Sequence, residues 1–208
     1  MDAFYHHRPF NLRYVVYQRS ERYTPELLRT HRTAKASWLY IRRQHGIDTF
    51  GPTPDWSKRT DLAAFGRCAP ARANEPALDG IALWERADAH TAEIRPDEPV
   101  CAHVVGSLPL GGDVAGWRTI IEGFAEDFLV SQGMVVDWAV HYLDGEGDHP
   151  AILPHVHMLI TMRAYDRSHP DVGRVRQNWL RTEKARKALA EKWWARTGLY
   201  PRSYATAA

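Results

Sequence analysis

Two histidines stand one residue apart in LPHVHMLITM, residues 153–162. A neutral imidazole offers one lone pair to a metal ion, which makes histidine the side chain to examine first. In an extended chain His155, His157, Leu159 and Thr161 share one face, and Val156, Met158 and Ile160 share the other. Both imidazoles can then reach a single ion. A third comes from VVDWAVHYL, where Asp137, Ala139, His141 and Leu143 share a face. The stretch DGEGDHPAILP, residues 144–154, separates the two runs, so they can pair as antiparallel neighbours and set His141 beside the other two. Three imidazoles from two strands make an open site, with the remaining positions left to water or substrate oxygens. His149 lies in the same loop and reads as a solvated residue.

The surrounding pattern supplies the elements that must hold this site. FNLRYVVYQRS (10–20) alternates as a strand. Residues 23–46 read as a helix, with Thr24 as N-cap, Pro25 in the first turn and Gly46 at the end. Residues 47–80 are loop text with a short strand near residues 62–65. A second helix is expected over residues 77–94, with Asp79 as its N-cap, and a strand over 99–109. Residues 113–133 form an amphipathic helix whose stripe is Trp117, Ile120, Ile121, Phe124, Phe128 and Leu129, stopped by Gly133. Two strands around the histidines, the second running over 154–166, and a basic helix over about 174–197 complete the chain. This order predicts an α+β fold, a central and mainly antiparallel sheet with helices packed on it.

With 208 residues the chain suits one domain with a full core. Net charge is only +2, but it is unevenly spread. Residues 1–72 carry 13 Lys/Arg against 6 Asp/Glu, residues 73–173 carry 5 against 17, and residues 174–208 carry 9 against 2. Basic flanks around an acidic centre suit a chain whose ends meet a polyanion, and equally suit solvated surface with attraction between segments. Two cysteines, Cys68 and Cys101, make no disulfide framework and point to a reducing compartment. The first residues lack the layout of a signal peptide, and no apolar run approaches a membrane span, so a cytoplasmic location is expected.

The hairpin VDWAVHYLDGEGDHPAILPHVHMLITMR resembles the metal-binding hairpin of the HUH endonucleases, and within them that of the MobA/MobL-type relaxases. TAKASWLY (33–40) is similar to the small-residue run that ends in the family's tyrosine. DW (55–56), ALWERAD (82–88) and GSLP (106–109) follow in matching order, so the likeness covers about residues 10 to 166. It departs from the family at Leu153, where Asn is usual, and at Glu85 and Asp88, where Asn and Glu are usual.

The resemblance implies a relaxase that nicks one DNA strand at an origin of transfer, stays joined to the 5′ phosphate through a tyrosine, and uses Mg²⁺ or Mn²⁺ held by His141, His155 and His157. Single-stranded DNA and accessory relaxosome proteins are the implied partners. Tyr40 is the expected nucleophile, beside Arg42 and Arg43 on the first helix. Tyr23 is its main competitor, Tyr14 reads as a strand residue, and Tyr17 stays open between the two roles. Asp88 is expected to hydrogen-bond a ligand histidine. Lys35, Arg42, Arg43, Lys58 and Arg59 are candidate phosphate contacts. Trp56, Trp193 and Trp194 are candidates to stack on bases. Three other readings stay open: an HUH replication initiator or transposase, a metal-dependent hydrolase without a covalent step, and an inactive DNA-binding module.

Overall fold

Period-2 alternation of apolar residues builds the centre of the molecule. The computed structural model describes residues 9–17, 30–73, 75–94, 98–145, 151–176 and 179–201. Its strands are β1 (Phe10–Val16), β2 (Ile47–Asp48), β3 (Gly51–Pro52), β4 (Leu62–Cys68), β5 (Pro99–Ser107), β6 (Val136–Leu143), β7 (Ile152–Thr161), β8 (Arg163–Asp166) and β9 (His169–Val175). Its α-helices are α1 (Ala34–Ile41), α2 (Glu75–Leu78), α3 (Ala82–Ile94), α4 (Val114–Phe128) and α5 (Glu183–Thr197). Five strands form one sheet in the order β1-β5-β7-β6-β4, and each neighbouring pair is antiparallel. The fold is α+β, as the residue pattern predicts. No helix among the described residues is long and apolar enough to cross a membrane.

Both faces of the sheet are covered, so β5, β6 and β7 are buried almost throughout. On one face α4 and α5 set Trp117, Phe124 and Trp193 against Val104, Trp138 and Met158. On the other, α1 and α3 set Trp38, Leu39, Leu83 and Trp84 against Cys101, Ala139 and Leu159. By alternation the second face also carries His103, His141 and His157. α3 is fastened there by a polar contact, because Trp84 Nε1 donates to Asp137 Oδ2 at 2.6 Å and Arg67 Nε donates to Asp137 Oδ1 at 2.7 Å. The ALWERAD and DWAVH segments are therefore in direct contact.

Three boundaries differ from the sequence expectation. The helix expected over 23–46 breaks, and α1 starts afresh behind Thr33, which has extended backbone and whose side chain accepts from Ala36 N. It ends at Ile41 rather than near Gly46, because Arg43 adopts a left-handed conformation with φ of 52°. Thr24, the expected cap, lies outside the described residues. The strand expected to run on to residue 166 stops at Thr161, and β8 leaves the sheet to pair with β9. The basic helix begins at Glu183, capped by Thr182, rather than near 174. Gly173, within β9, takes a φ of 69°, which a right-handed helix does not admit.

One glycine is set by close approach. A Cβ on Gly106 would lie 2.8 Å from the ring of Trp193, which is fully buried. The indole packs against the strand, and its Nε1 donates to Ser107 O at 3.2 Å. Gly106→Ala is expected to force this packing apart and cost about 1–3 kcal/mol, measured as a lower midpoint in chemical denaturation.

Candidate active site

Antiparallel pairing of β6 with β7 places His141 opposite His155 and Ala139 opposite His157. The imidazole centroids of His141 and His157 are 4.5 Å apart, those of His155 and His157 5.0 Å, and those of His141 and His155 5.5 Å. One ligand atom from each ring lies within 4.8 Å of the others. His141 and His157 are buried, and His155 is partly exposed. Burial lowers the pKa of all three, and Arg43 pushes His141 further down, so the rings are held neutral. Neutral imidazole is the form that binds a cation.

The hydrogen bonds fix most of the tautomers. His155 Nδ1 lies 2.8 Å from Leu153 O, a carbonyl that can only accept, so Nδ1 carries the hydrogen and Nε2 is a free lone pair. His157 Nε2 is buried with no hydrogen-bond partner among the described residues. Such an orphaned buried nitrogen is what a ligand awaiting a cation presents. His141 differs. Arg43 Nη2 donates to its Nδ1 at 2.8 Å, and its Nε2 donates to Ile41 O at 2.8 Å. His155 thus offers a lone pair, His157 presents a nitrogen without a partner, and His141 must exchange one protein contact for the cation. The set fits a divalent ion, with His141, His155 and His157 as its holders.

Tyr40 projects from the last turn of α1 onto this cluster. Its ring centroid is 5.3 Å from that of His157 and 6.1 Å from that of His141, edge-on to both. Trp56 closes the other side at 5.0 Å, and the Arg43 guanidinium lies 4.8 Å from the ring centre. Among the described residues Tyr40 is the tyrosine set against His141 and His157. Tyr14 is on the opposite face of the sheet, with its hydroxyl on Leu180 O, and Tyr17 is buried against Phe50. Tyr23 lies outside the described residues.

Two expected roles take a different form. Asp88 does not bond a ligand histidine. Its carboxylate oxygens accept from Ala34 N at 2.8 Å and Lys35 N at 2.9 Å, closing the N-terminus of α1. It therefore positions Tyr40 through the helix. Burial pushes its carboxyl up to about 7, against the pull of those two N–H groups. Arg43 is not an open phosphate contact, being 6% exposed. Its Nε and Nη2 hold the two oxygens of Asp61 at 2.8 and 2.7 Å. Burial opposes ionisation of Asp61, but Arg43 and Arg59 hold its carboxyl well below the usual range.

The other cations divide. Lys35 Nζ pairs with Glu85 at 2.6 Å, and the Arg42 guanidinium lies 3.5 Å from the ring centre of Phe65. Lys58 is well exposed, and Arg59 is half-exposed while touching Asp61 at 3.1 Å. Trp56 is at the site, whereas Trp193 is in the core and Trp194 packs against it. Sequence reasoning missed His103, whose Nε2 is 2.9 Å from His157 Nδ1, and His31, stacked on His103 at 4.6 Å. The signal for His103 was its place in the strand CAHVV, which becomes informative once β5 is known to pair with β7.

A model of the MobA/MobL family matches residues 33–201, and the chain belongs to that family. Among solved structures, one from work on the molecular basis of vancomycin resistance transfer in Staphylococcus aureus has the same fold. It superposes with a TM-score of 0.69 at 19% identity, covering 94% of this chain and 98% of that one. A comparison with curated proteins finds no match.

Removing Asp61 leaves a buried guanidinium without a counterion, so Asp61→Ala is expected to cost about 3–5 kcal/mol in urea denaturation. Asp88 gives a pH signature. An unfolded aspartate loses its proton near pH 4, while the folded one keeps it to about 7. The native state binds the extra proton between these values, so stability should fall as pH rises through that window. Asp88→Asn should flatten this slope in melting curves taken from pH 5 to 8.

Proposed function

We propose that this chain is a metal-dependent single-strand DNA nickase, a relaxase that cuts and reseals an origin of transfer during plasmid mobilisation. The observation that carries the reading is the edge-on placement of the Tyr40 ring against His157 and His141. A phenol and a three-imidazole site in contact are the two components that transesterification at a phosphodiester needs. The family assignment and the solved structure from resistance transfer support the same reading.

In this mechanism Tyr40 Oη attacks the scissile phosphorus in line with the departing 3′ oxygen. The O–P bond to tyrosine forms as the P–O3′ bond breaks. The phenolic proton is lost, and the leaving oxygen takes one up to become a 3′ hydroxyl. One phosphodiester is exchanged for another, so the reaction reverses and the strand can be resealed. A bound Mg²⁺ or Mn²⁺ would supply Lewis-acid stabilisation of charge on a non-bridging phosphate oxygen. Arg43, set between Tyr40, Asp61 and His141, orients the ring and the ligand histidine rather than gripping DNA. Lys58 and Arg59 are the cations placed to meet flanking phosphates, with Lys35 and Arg42 nearer the helix surface. Trp56, beside Tyr40, is placed to stack on a base next to the cut. We assign the chain to one relaxase domain, with single-stranded origin DNA and accessory relaxosome proteins as partners in the cytoplasm.

The test is incubation of wild-type and Tyr40→Phe protein with labelled single-stranded origin-region DNA, with Mn²⁺ or EDTA, on denaturing gels. A metal-dependent covalent band in wild type, absent from Tyr40→Phe, is expected. A band that survives in the variant would move the nucleophile to Tyr23. Cleavage without any adduct would favour a hydrolase.

A further inference from the structure

His103 stands on β5 opposite Leu159, on the face that carries the three candidate ligands. Its Nε2 is 2.9 Å from His157 Nδ1, and both rings are buried. Two neutral imidazoles in this contact share one hydrogen, which can sit on either nitrogen. If His157 Nδ1 holds it, His157 Nε2 is a bare lone pair facing the site and His103 carries its own hydrogen on Nδ1. If His103 Nε2 holds it, His157 must carry its hydrogen on Nε2, where it blocks a cation. The outer nitrogens, His157 Nε2 and His103 Nδ1, are both buried without hydrogen-bond partners among the described residues. Each arrangement therefore leaves one N–H unsatisfied, and neither is favoured by a neighbour. A cation at Nε2 removes that balance.

We propose that His103 is a positioning residue that can accept the hydrogen of His157 at Nδ1, and so leaves His157 Nε2 free to open to the cation. The proposal rests on reading His141, His155 and His157 as a metal site. A backbone carbonyl, such as the one that holds His155, can only accept and locks its partner in one tautomer. An imidazole both donates and accepts, so His103 leaves His157 switchable until the ion arrives. His31 braces the His103 ring. It stacks on His103 with 21° between the rings, and its Nδ1 lies 2.6 Å from Thr30 Oγ1. His103 orients a ligand without being one.

The experiment pairs calorimetric Mn²⁺ titration of the full chain with imidazole ¹⁵N spectra of the metal-free protein, for wild type, His103→Gln and His103→Leu. Melting curves check that each variant folds. Outer-shell partners of metal-bound histidines are worth about 10–100-fold in affinity, and His103→Leu is expected to lose that much. His103→Gln, whose Oε1 accepts from His157 Nδ1, is expected to restore binding close to wild type. In the spectra, the hydrogen of His157 should sit on Nδ1 in the Gln variant and move to Nε2 in the Leu variant. Equal affinity in all three proteins overturns the proposal. So does equal loss in both variants, which marks His103 as packing alone. If wild type binds no Mn²⁺, the metal-site reading fails, while the spectra still decide whether His103 sets the tautomer.

Discussion

The register between β6 and β7 is the constraint on which the rest of the site depends. A slip of one residue would turn His155 and His157 to the opposite face, into the apolar layer under α4 and α5. Nothing in that layer could satisfy two imidazoles. The register is secured from both sides, because β7 is paired with β5 as well as β6 and its apolar residues interlock with both cores. The same pairing brings His103 into contact with His157. Four imidazoles thus owe their positions to one pattern of main-chain hydrogen bonds.

The helix that presents Tyr40 is short, eight residues, and would not hold its place alone. It is tied at both ends. Thr33, Asp88 and Asp48 collect at its N-terminus, with Thr33 donating to Asp48 at 2.9 Å while Asp48 also holds Arg32. At the other end Arg43 turns out of the helix and joins Asp61 to His141. Besides their ring contacts, the tyrosine helix and the ligands are joined through a buried ion pair. Such a pair contributes little net stability, since desolvation offsets much of the attraction, but it fixes direction.

The histidine triad was legible because its information is local: spacing of two within one strand, and one hairpin to bring the second strand alongside. The amphipathic helix with Gly133 at its end was legible for the same reason. What could not be read depended on contacts between distant segments. Asp88 looks like a site acid until the N-terminus of α1 is seen against it, 54 residues away in the chain. Arg43 looks like a surface cation until Asp61 is found beneath it. The break at Thr33 lay inside a segment that reads as one continuous helix, and β9 shows itself only through its pairing with β8.

The helix α5, with most of the C-terminal basic charge, lies across the sheet from the imidazoles. A single layer of strands separates the two, with β1 and β4 at its margins. Any polyanion that touches both must go round a margin and bend as it does so. The basic helix and the imidazole cluster thus lie on opposite sides of one wall, beyond the reach of a single small ligand.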